Sequence, residues 1–197
     1  VGDVVFAGVH VVANLASGTA YLESGRQVEL RDGTLTIENT RAQPLIGRLK
    51  MKVAGRADAL ADLASQEPLN ALRSIDLLPE DLSGDVTGSV DADIPLQKGI
   101  DRKLLDWKVA LSYRGLDIKR PFAGQNIIDA DGSILLQPDR ATVQAKAQLN
   151  GLPAEMDIVQ PLGGAATAIK RNVVFVLDDK TRARIAPGLN LMVSGTV

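Results

Sequence analysis

The chain has 197 residues, and 22 basic against 24 acidic side chains leave a formal charge of −2, too near balance to offer nucleic acid a single-sign field. No cysteine and one histidine, His10, exclude disulfides, thiolate sites and histidine-based metal clusters. Hydrophobic residues make up 45% of the chain but aromatic ones only 3%, so Val, Leu, Ile and Ala carry the apolar mass. No apolar run approaches the roughly 18 residues of a transmembrane helix, and no basic-then-apolar signal opens the chain. The chain begins at Val1 and ends inside an expected strand, Asn190 to Val197, which reads as a piece excised from a longer protein.

Apolar and polar residues alternate along most of the sequence, the period-two pattern of half-buried strands. The first such run, Val4 to Ala13, contains His10. Leu49, Met51 and Val53 then alternate with Arg48, Lys50 and Lys52. Between Ala57 and Pro79 the pattern changes: Leu60, Leu63, Leu69, Leu72 and Ile75 fall at helical spacings, and Pro68 divides the stretch. A short helical pair packing its leucines on the sheet is expected there, with Asp58 capping the first helix and Pro68 starting the second. Alternation resumes with Val86, Val90, Ala92 and Ile94 opposed to Thr87, Ser89, Asp91 and Asp93. Trp107, Val109, Leu111 and Tyr113 oppose Lys108, Ala110 and Ser112, and Val143 and Leu149 oppose Thr142, Gln144, Lys146 and Gln148. Ala154, Met156 and Ile158 close the series against Glu155 and Asp157. One-sided strands suit an antiparallel sheet, because parallel strands covered by helices read as continuous apolar runs. Asp32-Gly33 and Asp131-Gly132 are expected to be tight hairpin turns of a meander.

Those two dipeptides also reveal a repeat. GRQVELRDGTLTI (Gly25 to Ile37) aligns without a gap on GQNIIDADGSILL (Gly124 to Leu136), and in both copies an Arg, Arg41 or Arg140, precedes a longer alternating strand. The expected units are 1–100 and 101–197, each of four or five strands, as in architectures that stack repeats on a shared apolar face.

Residues that could carry chemistry have plainer readings. Asp91 with Asp93, and Asp129 with Asp131, lie two apart on strands and so share a polar, solvated face. Asp178 and Asp179, followed by Lys180, Arg182 and Arg184, read as a capped helical turn. Gly163-Gly164 lacks the context of a phosphate loop, the serines fit no nucleophile elbow, and His10 has no second catalytic group beside it in sequence. No enzymatic activity and no cofactor or metal are expected. Scarce aromatic filler leaves two architectures open: a sandwich packed with small aliphatic residues, which composition alone favours, and a sheet whose apolar face is only partly closed.

Four segments carry a family resemblance: AGRADALADLASQEP (Ala54 to Pro68), LSGDVTGSVDADIPLQ (Leu82 to Gln97), LDWKVALSYRGLDIKRPFAGQ (Leu105 to Gln125) and LDDKTRARIAPGLNLMVSGTV (Leu177 to Val197). From about Ile46 onward the chain resembles the AsmA-like superfamily of Gram-negative envelope proteins, most closely its YhdP branch. The resemblance implies a mainly β fold, a curled antiparallel sheet (a β-taco or repeating β-groove) with a helical insertion around 57–79, forming the periplasmic part of an inner-membrane-anchored protein. It further implies a hydrophobic groove that carries phospholipid between inner and outer membrane and supports outer-membrane integrity. Phospholipid would be the partner, with envelope proteins as further candidates. Drawing about fifteen CH₂ groups through water would cost on the order of 12 kcal/mol, which a covered apolar track removes. About fourteen candidate strands would extend such a sheet to at most roughly 65 Å.

The groove face is expected to bear Leu49, Met51, Val53, Val86, Val90, Ile94, Trp107, Val109, Leu111, Val143, Met156 and Ile158 by parity. Ile134 and Leu136 join them by their match to Leu35 and Ile37. Two other functions compete with lipid transport: a scaffold or assembly module for outer-membrane proteins that docks them along a sheet edge, and an enzyme on a β-sandwich.

Overall fold

The computed structural model describes residues 1–66, 77–98, 106–122, 124–162 and 170–176, with Thr181. Among them the fold is mainly β: one ten-stranded antiparallel sheet, curled but not closed, with a single short helix. The strands are β1 (Gly2–Ala7), β2 (His10–Tyr21), β3 (Gln27–Ile37), β4 (Ile46–Arg56), β5 (Leu82–Pro95), β6 (Trp107–Phe122), β7 (Gln125–Gln137), β8 (Arg140–Leu149), β9 (Leu152–Pro161) and β10 (Lys170–Phe175). Each pairs with its neighbours in chain order, so the topology is an uninterrupted meander. Ten strands about 4.8 Å apart extend it for roughly 43 Å.

The run expected from Val4 to Ala13 is two strands, because Gly8-Val9 forms a two-residue loop between the paired Ala7 and His10. Asn150 and Gly151, with φ of 51° and 78°, make the β8–β9 turn; positive φ at both central residues is the type I′ geometry whose twist matches the flanking strands.

Asp32-Gly33 and Asp131-Gly132 are not hairpin turns. Both lie in the middle of strands, β3 and β7, beside register shifts between Arg31 and Thr34 and between Ile128 and Asp131. Asp32 (φ 50°) and Asp129 (φ 51°) take the left-handed conformation that Asp tolerates better than most residues. The dipeptides therefore mark bulges. Further shifts between β5 and β6 and between β6 and β7 continue the series across the sheet. A bulge bends its strand and steepens the twist, which is how a meander of long strands curls.

The aligned repeat segments occupy β3 and β7, each preceded by a long strand, β2 or β6. The match loosens afterwards: Arg140 opens β8, whereas Arg41 lies in the longer connection before β4.

The insertion after β4 forms helix α1 (Ala57–Ser65), followed before β5 by a 3₁₀ turn, Pro79–Asp81. Arg56 is the N-cap residue and makes no side-chain cap bond. Asp58 sits inside the first turn instead of capping it, where a carboxylate favours the positive end of the helix dipole, and it accepts from the Ala59 N–H at 3.0 Å. The second helix expected around Pro68, Leu69, Leu72 and Ile75 lies outside the described residues, as do Gly163-Gly164, Asp178 to Arg184 apart from Thr181, and the strand expected at Asn190 to Val197.

Candidate functional site

Residues paired across antiparallel strands share a face, so the register decides which side chains meet. One row runs Leu35, Leu49, Ala92, Trp107. The next runs Met51, Val90, Val109, Leu136, Ala141. A third runs Val53, Gly88, Leu111, Ile134, Val143, Ile158, and a fourth Gly55, Val86, Tyr113, Gly132, Ala145, Met156. With Ile94 opposite Gly47, the fourteen residues expected on one face lie on one face, spread over β4 to β9.

Helix α1 packs on this face. Ala57 and Ala61 join Leu82, Val86 and Tyr113 in one buried cluster, and Ala59 joins Leu22, Val28 and Val53 in another. Small side chains let the helix approach closely. Its polar side is tied to the β2–β3 connection: Arg26 Nε lies 3.5 Å from Asp58 and Nη1 3.3 Å from Asp62, and Ser24 hydrogen-bonds Asp62.

The helix divides the fourteen residues. Val53 and Val86, 6% and 7% exposed, are core beneath it. Met51, Leu111, Ile134 and Met156 pack against that core. Leu49, Val90, Ile94, Trp107, Val109, Leu136, Val143 and Ile158 are half-buried, belong to neither cluster, and lie towards the strand ends remote from α1. From Leu49 on β4 to Ile158 on β9 this margin crosses five strand spacings, about 24 Å, roughly perpendicular to the strands.

Sequence parity missed the glycines and alanines of the face. Leu111 lies over Gly88, where an added Cβ would come 2.5 Å from its Cδ2. Tyr113 reaches across Gly132, and its hydroxyl donates to the Gln144 carbonyl at 3.3 Å. Burial, and secondarily the Asp131 carboxylate, raises the Tyr113 pKa. Large side chains on one strand thus cover the gaps left by glycine on the next. A small residue inside an alternating strand was the available signal.

The opposite face carries the charges. Arg48 bridges Asp91 through Nε and Asp93 through Nη1, the latter at 3.0 Å, and its guanidinium holds the Asp91 carboxyl below its usual range. Lys52 pairs with Asp32 at 2.8 Å and depresses its pKa, while Lys146 pairs with Glu155 at 2.8 Å and its own pKa rises. Asp91 and Asp93 therefore share a guanidinium. Asp131 accepts from the Gly115 N–H, and Asp129, through its backbone N–H, donates to Asp117. His10 opens β2 with Nε2 3.7 Å from a Glu38 oxygen. Among the described residues no group of three or more His, Cys, Asp or Glu side chains could hold a metal ion, and no helix is long and apolar enough to cross a membrane.

Compared with protein-family models, curated proteins and solved structures, the chain matches none.

Proposed function

We propose that this chain is a section of an apolar groove that carries phospholipid acyl chains between the inner and outer membranes of a Gram-negative envelope. It does so as the periplasmic part of an inner-membrane-anchored protein and without covalent chemistry. The observation that carries the reading is the half-buried aliphatic margin, Leu49, Val90, Trp107, Val109, Leu136, Val143 and Ile158, running across six consecutive strands of an unclosed sheet. Its direction suits an acyl chain sliding from strand to strand. Apolar burial is non-directional, so no step along such a track needs a hydrogen bond to break. The ion pairs lie on the other face, where they solvate the exterior without meeting the lipid. The resemblance to the AsmA-like superfamily supports the same reading.

Native mass spectrometry of the protein purified from a Gram-negative host tests it. Phospholipid adducts are expected, and a photoreactive residue at Val109 should crosslink them. Protein that carries no lipid, and cannot be loaded from phospholipid vesicles, would remove the proposal. The bare edge strands favour a second reading, a scaffold that docks partners by strand addition.

A further inference from the structure

Both margins of the sheet are bare strands. β1 and β10 are exposed along their whole length, and they carry nearly the same run, Asp3-Val4-Val5-Phe6 and Asn172-Val173-Val174-Phe175. Val4, Val5 and Phe6 are 56%, 53% and 74% exposed, and Val173, Val174 and Phe175 are 40%, 47% and 41% exposed. Edge strands are ordinarily blunted by Pro, Lys or a bulge. Neither Val-Val-Phe run has one, and each strand pairs with its inner neighbour without a register shift.

The backbones match as well. Val1 accepts from the Ala16 N–H, so the odd-numbered residues of β1 turn their polar groups to β2, while Gly2, Val4 and Phe6 turn theirs outward. Val176 donates to the Pro153 carbonyl, so Arg171, Val173 and Phe175 turn theirs outward from β10. Because ten strands alternate in direction, β1 and β10 run opposite ways.

We propose that β10 of one copy takes β1 of a second copy as its antiparallel neighbour, with Val4 opposite Phe175, Val5 opposite Val174 and Phe6 opposite Val173. Val4 and Phe6 pair with Ala13 and Val11, and Val173 and Phe175 with Met156 and Ala154, so in this register all lie on the face that bears α1. Val5 and Val174 then meet on the other face. The pairs Val4 with Phe175 and Phe6 with Val173 each exchange two backbone hydrogen bonds. A second copy is the occupant because each edge finds its complement, in direction, outward amides and side chains, on the other edge of the same chain. The contact is heterologous and does not close on itself, so copies add in a row and carry the apolar face from one to the next.

Sedimentation or light scattering on the lipid-free chain tests the pairing independently of the groove reading. Val4→Pro and Val173→Pro each remove an outward N–H while sparing the bonds to β2 and β9; Phe6→Lys and Phe175→Lys are substitutes that keep every amide. The unmodified chain should grow in mass with concentration, and each single variant should stay monomeric. An equimolar mixture of a β1 variant with a β10 variant should give a two-chain species and nothing larger, since one competent edge of each kind remains. An unmodified chain that is monomeric at every concentration overturns the proposal, and so does a single variant that dimerises by itself, because that requires like edges to pair.

Discussion

The Gly115 N–H on β6 donates to the Asp131 carboxylate on β7 at 2.8 Å, and the Asp129 N–H on β7 returns a bond to Asp117 on β6 at 2.7 Å. The two strands exchange these bonds where their register shifts between Tyr113 and Leu116. A bulge withdraws backbone groups from the ladder, and here side chains of the facing strand satisfy them. Asp131→Ala should therefore destabilise the fold by about 1 kcal/mol, at the low end for a charged acceptor because the site is exposed, while Asp131→Asn keeps an acceptor and most of the stability. Urea unfolding followed by circular dichroism measures both. Equal midpoints for Asp131→Ala and the parent would show that the bond holds nothing.

Glycine on the apolar face leads to a second expectation. A Cβ at Gly132 would stand 2.1 Å from the Gln144 carbonyl oxygen and 2.8 Å from the Tyr113 hydroxyl; at Gly88 the nearest atom is a Leu111 methyl. A methyl group can rotate away and a backbone carbonyl cannot. Gly132→Ala should cost more than Gly88→Ala, with the latter in the overpacking range of about 1–3 kcal/mol. The order of the two urea midpoints decides it.

The same residues show what could be read from the sequence. Alternation identified the strands and the shared face, because a period of two is a local property that each strand carries independently. Asp131-Gly132 was misread as a hairpin because a dipeptide does not reveal what lies on the next strand; it is Tyr113, nineteen positions before the dipeptide's glycine, that occupies the space above it. Asn150-Gly151, an ordinary turn signal, made the hairpin instead. The division of the face into core and margin depends on where α1 lands, and the leucine spacing that announced a helix held no information on whether it would cover Val86 or Val90.

Acid should weaken the charged face. The folded pKa of Asp91 is depressed by Arg48, and that of Asp81 chiefly by its hydrogen bond from Arg120. The unfolded chain, with carboxyl pKa values near 3.9, therefore takes up protons first as the pH falls. Stability from these pairs is fully present above about pH 5 and is lost progressively below about pH 4 as the depressed folded values are passed. Arg48→Met should lower the melting temperature at pH 6, by the equivalent of about 1 kcal/mol or less since the pair is partly exposed, and should change it little near pH 2. An equal loss at both pH values would mean that Arg48 stabilises by packing its stem and not by its charge.

The division made by α1 sharpens the test of the lipid track. Val90 and Val143 lie on the half-buried margin, Val86 is core beneath the helix, and Thr87 and Gln144 lie on the opposite face. A carboxylate on the margin remains hydrated in the empty protein but must be desolvated when an acyl chain covers it, at a cost of several kcal/mol. Val90→Asp and Val143→Asp should therefore fold, as judged by circular dichroism, and lose most of the bound phospholipid. Thr87→Asp and Gln144→Asp should keep it. Val86→Asp should unfold the protein whatever its function, since a buried charge has no partner there. Photoreactive residues at Val90, Val109 and Val143 should capture lipid, and one at Val86 should capture α1 instead. Lipid content unchanged in folded Val90→Asp and Val143→Asp, or crosslinks to lipid from Gln144 as often as from Val143, would leave the margin without a role in binding and make strand addition at the sheet edges the better account of this chain.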